Sequence, residues 1–131
     1  MNILLDTQIF LWALTEPKNL GKNAKSLLQS KKNQLYLSAA SSWEISIKAG
    51  LGKLPLPEPP DKYISTRMAS LQILPLDVKH YHTFIVYQLP SHHRDPFDRI
   101  LIATAIAEKL HLMSADKKFH SYDVDLLWGF D

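Results

Sequence analysis

Short apolar runs at residues 3–5, 35–37 and 112–113 alternate along the chain with longer stretches of helical periodicity. Each run stops at a small polar or acidic residue: Asp6, Ser38 and Ser114. A run this short reads as a buried strand rather than a helix. Further strands are expected near 73–74 and 124–128. Helices are expected over 9–14, 22–32, 41–49, 61–71, 77–89 and 96–110. Strands that alternate with helices predict an α/β fold with a mainly parallel sheet. Gly50-Leu51-Gly52 ends one helix. The Leu-Pro-Leu-Pro-Glu-Pro-Pro stretch at 54–60 is a stiff extended connection. It is too short to separate two domains, so residues 1–131 are read as one domain.

The chain has 131 residues, 46% apolar and 21% charged, which suits a water-soluble globular domain. It has no cysteine, so disulfides and thiolate metal sites are excluded. That suits a reducing, cytoplasmic setting. Residues 1–6 lack the basic start of a secretory leader. No run nears the roughly 20 apolar residues of a membrane span. A net charge of +2 does not by itself announce a nucleic-acid binder.

Four acids stand out: Asp6, Glu44, Asp98 and Asp116. Each has a structural reading. Asp95-Pro96-Phe97-Asp98 has the form of a helix start, with Asp95 as cap, Pro96 first and Asp98 third. Ser41-Ser42-Trp43-Glu44 has the form of a capping box. Asp6 and Asp116 each follow a strand and are placed to cap the next helix. Taken together they point elsewhere. In a parallel sheet the strand C-termini share one edge, where ligand sites gather. Four ionised acids on that edge repel one another unless a cation joins them or some take up protons. Hard oxygen donors without cysteine suit Mg²⁺ or Mn²⁺. Helix N-termini nearby favour a phosphate-bearing ligand.

Other residues carry weaker signals. His80, His82, His92 and His93 read as solvated surface histidines rather than a zinc site, since two residues apart on a helix diverge. Lys48 follows Glu44 by one helical turn and reads as its ion-pair partner. Arg94 and Arg99 flank the acidic turn and either grip phosphate or pair with Asp95. Trp12, Trp43 and Trp128 read as core or interface residues, not as base-stacking platforms.

Leu4-Leu5-Asp6-Thr7, Ser42-Trp43-Glu44-Ile45, His93-Arg94-Asp95-Pro96-Phe97-Asp98-Arg99 and Ser114-Ala115-Asp116 together resemble the PIN-domain ribonucleases. The likeness is to the VapC-type toxins of toxin–antitoxin pairs and runs from Met1 to about Trp128. It implies a three-layer α/β/α sandwich around a mainly parallel sheet. It implies a metal-dependent endoribonuclease with Mg²⁺ or Mn²⁺ as cofactor. The family's acids carry over onto Asp6, Glu44, Asp98 and Asp116, with metal held by Asp6, Asp98 and Asp116, directly or through water. Thr7 and Ser114 match small hydroxyl residues beside the site, and Asp95 and Arg99 belong to the same motif. Gln8 departs from the pattern, since close relatives often have His there. Members usually form homodimers, act on RNA and are silenced by an antitoxin protein. Two other readings stand beside this one: a metal- or partner-binding module of the same fold that cuts nothing, and a signalling receiver domain. The second lacks an acid pair after the first strand, and its middle strand ends in Ser38 instead of a phospho-acceptor Asp.

Overall fold

The computed structural model describes residues 1–91 and 94–131; His92 and His93, in the expected polar loop, lie outside the described residues. Five strands form one sheet: β1 (Asn2–Leu5), β2 (Gln34–Ser38), β3 (Ile73–Leu76), β4 (His111–Ser114) and β5 (Leu126–Trp128). Their order is β3-β2-β1-β4-β5, and every neighbouring pair is parallel. The expected strands are all present. The third runs on through Pro75 because β3 is an edge strand, where a missing N–H is tolerated.

The helices are α1 (Thr7–Thr15), α2 (Lys22–Gln29), α3 (Ala39–Gly50), α4 (Pro60–Ser70), α5 (His80–Gln88) and α6 (Pro96–Glu108). A 3-10 helix, Lys117–Ser121, follows β4. Alternation along the strands sorts the core into two layers. Ile3, Leu5, Leu35, Leu37 and Met113 pack with Ile9 and Phe10 of α1, Ile45 of α3 and Tyr63 of α4. Leu4 and Leu112 face the other way, onto Leu101, Ile102 and Ala105 of α6 and onto Phe119. Because β1 is covered on both faces, it reads as an unbroken apolar run. The result is the expected three-layer α/β/α sandwich.

The first helix begins two residues before its expected start, at Thr7, and two other starts differ in a way that changes a residue's role. The third helix begins at Ala39, not Ser41, and its cap is Ser38, whose Oγ accepts from the Ala40 N–H at 3.0 Å. The capping box expected of Ser41 and Glu44 is therefore not formed. Ser41 lies inside the first turn, and Glu44 stands in the second. The fifth helix begins at His80, not Asp77. The Lys79 N–H donates to His82 Nδ1 at 3.0 Å, and His82 Nε2 lies 3.0 Å from Glu108 Oε1. His82 thus closes the first turn of α5 as a Glu or Gln does in a capping box. It is completely buried, which overturns the surface reading for this histidine. His80 is exposed, as expected.

The strand order fixes where a ligand can sit. From β1 the chain extends the sheet one way through β2 and β3 and the other way through β4 and β5. The crevice at such a reversal lies beyond the C-termini of β1 and β4. Asp6 and Asp116 follow those two ends. The 3-10 helix after Asp116 is anchored by Phe119, which is fully buried. Truncation there should cost about 3–5 kcal/mol. Chemical denaturation of Phe119→Ala is expected to show that loss, and a stability near wild type would contradict the anchoring role.

Candidate active site

Asp6 is set by β1 and α1 together. It fills the N-cap position of α1 without a side-chain capping bond. Its backbone N–H donates to Met113 O at 3.0 Å, tying it to β4. The Ser114 hydroxyl donates to Asp6 Oδ2 at 2.8 Å and accepts from the Asp116 N–H at 3.0 Å. One buried hydroxyl therefore sets the spacing of the two strand ends. Asp116 in turn caps the 3-10 helix, accepting from the Lys118 N–H at 2.9 Å.

Glu44 and Asp98 reach the same cleft from α3 and α6. The Thr7 hydroxyl donates to Ser41 Oγ at 2.9 Å, which pins α1 to the first turn of α3. Glu44 follows Ser41 by three residues, so it shares that face. Asp95 is the cap of α6, as expected; its Oδ1 accepts from the N–H groups of Phe97 and Asp98. With Pro96 first, Asp98 is the third helical residue.

These elements enclose a cleft of about 490 Å³. Asp6, Glu44, Asp95, Asp98 and Asp116 all line it, with Thr7 and Gln8 beside them. The four acids expected to converge do so. Ser114 supports the cleft from below, fully buried. Arg99 does not line it: its guanidinium donates to the carbonyls of Val86 and Pro90, at the end of α5. That contact ties α5 to the first turn of α6.

Lys48 and Lys53 also line the cleft. Lys48 Nζ bonds Glu44 Oε2 at 2.8 Å, the expected pair, and that bond raises the lysine above its ordinary pKa. Lys53 was not singled out from the sequence. It is placed by the end of α3, where Gly52 adopts φ +72°. The Gly52 N–H donates to Ala49 O and the Lys53 N–H to Lys48 O at 2.9 Å, a Schellman motif. Trp12 and Leu11 from α1 complete the wall. Trp43 is not a core residue; it is 63% exposed and packs its ring edge against Phe97.

The acids are electrostatically coupled. Burial raises Asp6 to about 6, opposed by the Ser114 hydroxyl and the Thr7 N–H and reinforced by Glu44 and Asp116. Burial also pushes Asp98 up to about 8, helped by the charges of Asp6, Asp95, Glu44 and Asp116. Asp6 and Asp98 thus both feel neighbouring acids across the cleft. Among the described residues, no three acids or histidines are grouped as a ready-made cage for a metal ion. The donors are nonetheless all hard oxygens, as an ion that keeps its waters and binds through one or two carboxylates requires.

Both shifts have the same sign. The folded protein holds protons on Asp6 and Asp98 that the unfolded chain, with carboxyls near 3.8, has released. Stability in metal-free buffer is therefore greatest below about pH 4 for these two groups. It falls as pH rises through 6 and then 8. Melting temperature followed from pH 5 to 8.5 is expected to decline. Asp98→Asn should flatten the upper part of that decline. A variant with the unchanged slope would show that Asp98 is not the strained group.

A family model described as PIN domain matches residues 3–125. A 59-residue stretch is 48% identical to a protein named Ribonuclease VapC16 from Mycobacterium tuberculosis (strain ATCC 25618 / H37Rv). That stretch is 45% of this chain and 42% of the relative's length, so the match spans less than half of either. Among solved structures, VapBC2 from Rickettsia felis, bound to a DNA fragment from their promoter, superposes with a TM-score of 0.74. It is 21% identical, with 97% of this chain and 98% of that chain covered. A toxin–antitoxin complex from Klebsiella pneumoniae gives a TM-score of 0.66 at 19% identity, with 98% of each chain covered. The likeness to these structures concerns the fold. The family model, by contrast, spans nearly the whole chain together with its acidic cleft: the chain belongs to the PIN domain family.

Proposed function

We propose that this chain is a metal-dependent endoribonuclease and the toxin of a toxin–antitoxin pair. The observation that carries the reading is the cleft where Asp6, Glu44, Asp98 and Asp116 meet, two of them held far above the ordinary carboxylate range. A desolvated acid cluster is stabilised by a divalent cation, and Mg²⁺ or Mn²⁺ suits its donors. The relative named as a ribonuclease and the neighbours solved as toxin–antitoxin complexes support the same reading. Residues 1–131 are read as one PIN-like domain, paired with a second copy in a homodimer and held inactive by an antitoxin protein. No described helix is long and apolar enough to cross a membrane, and the proposed place of action is the cytoplasm.

Asp6, Asp98 and Asp116 are assigned to hold the cation, directly or through its waters. When bound, it supplies an activated water and offsets charge building on the phosphate. Ser114 keeps Asp6 and Asp116 in register. Lys48 holds the carboxylate of Glu44 in the cleft, which leaves Glu44 to orient water or accept a proton. Thr7 fixes the approach of α3 through Ser41. Asp95 sets the turn that presents Asp98. Arg99 is assigned to hold that turn against α5 rather than to touch substrate.

Purified protein freed of any partner should cut single-stranded RNA when Mg²⁺ or Mn²⁺ is added, and stop when the ion is chelated. Asp6→Asn and Asp98→Asn are each expected to lower the rate on the order of 10²–10⁴-fold while circular dichroism stays unchanged. Full activity in either variant would reject the nuclease reading. Tight antitoxin binding with no metal-stimulated cleavage would leave the binding-module reading in its place.

A further inference from the structure

The acidic cleft continues into a strip of aromatic rings that the catalytic reading leaves without a role. Trp12, on the cleft wall, meets Phe130 with ring centroids 5.7 Å apart. Phe130 meets Trp128 at 5.3 Å, and Trp128 meets His120 at 4.8 Å. The four rings come from α1, β5, the residue pair after it, and the 3-10 helix that follows Asp116. The segment that carries two of them is held close to the cleft. The Gly129 N–H donates to Ser114 O at 2.7 Å. A Cβ on Gly129 would stand 2.6 Å from Ile9 Cδ1 and 3.4 Å from the Cβ of Ala115, itself a cleft residue. On the far side, Gly129 O accepts from Gly21 N–H, and Asp131 O accepts from Ala24 N–H at 3.0 Å. The segment is thus laced on both sides, yet Phe130 is 51% exposed, and His120 is exposed as well.

Trp12 packs partly against the core, but Phe130, set between two half-buried indoles, stays half-exposed. Rings in a row beside a phosphate-cleaving cleft match the way unpaired nucleotides are held. Every base offers a flat apolar face, and stacking on aromatic side chains is sequence-tolerant. Lys117 and Lys118, exposed and directly after Asp116, supply positive charge at the His120 end. Resting on the nuclease reading, we propose that His120, Trp128, Phe130 and Trp12 form a track that stacks the unpaired bases of single-stranded RNA as its backbone enters the cleft. Trp12 packs against the core cluster, as expected, and the proposed track adds a second role to it and to Trp128. The track also ties the substrate class to unpaired RNA, because bases in a duplex have no free faces to offer.

The test separates holding from cutting. A fluorescently labelled oligoadenylate of about ten nucleotides is titrated into the chelator-treated full chain, which cannot cut it, and into Phe130→Ala and Trp128→Leu. Thermal melts check that each variant is folded. Binding is expected to weaken roughly 5- to 50-fold in each variant. An abasic oligonucleotide of equal length should bind wild type and variants alike. In cleavage assays the variants should raise KM and leave kcat near wild type. Oligoadenylate affinity unchanged in folded Phe130→Ala overturns the track, even if metal-stimulated cleavage is intact. So does loss of antitoxin binding in that variant with RNA binding untouched, which would make the strip a protein-docking surface. Ring-dependent oligonucleotide binding without any cleavage would keep the track and sink the nuclease reading instead.

Discussion

One hydroxyl group holds the centre of this molecule together. Ser114 sits at the end of β4, fully buried, and bonds Asp6 on one side and the Asp116 N–H on the other. A hydroxyl has a single proton to give and lone pairs to receive with. Here the proton goes to the carboxylate, and a lone pair takes the amide. A methyl group in its place would leave a buried acid short of a donor and an N–H without an acceptor, and such losses are dear in a dry interior. The strand ends of β1 and β4 carry acids into one crevice because this contact offsets part of the cost of burying Asp6.

Much of this arrangement is legible in the order of residue types. Runs such as 3–5 announce strands because a parallel strand at the centre of a sheet is covered on both faces. The motif at 95–98 announces a helix start because proline and a capping acid fit only that position. The convergence of Asp6, Glu44, Asp98 and Asp116 follows once the sheet is parallel. What the sequence hides is long-range. Ser41 and Glu44 have capping-box spacing, but tertiary packing places the cap of α3 one turn earlier, at Ser38, where the end of β2 delivers the chain. His82 looks like a surface residue because its partners, Lys79 N–H and Glu108, come from a turn start and from another helix. Lys53 enters the cleft through the handedness of a helix terminus, which spacing along the chain does not reveal.

The two layers divide the labour. Clusters on either face of the sheet hold the strands, and their alternation sets which residues are core. The acids gather at the end of the sheet, where helix starts, a 3-10 turn and a Schellman turn meet. Those are the places where backbone groups already lack helical partners. A ligand site built there uses groups the fold would otherwise have to satisfy with water.

Carboxylic acids kept far from their solution pKa make the free chain a poised object. Whatever settles on them, an inorganic ion or a basic side chain from another protein, is favoured by the same repulsion it relieves. By mass action any such occupant adds to the folding free energy in proportion to the logarithm of its concentration over its dissociation constant. Occupancy and resistance to proteolysis then rise and fall together. A change in the supply of either kind of occupant alters how long the polypeptide survives as well as what it can do.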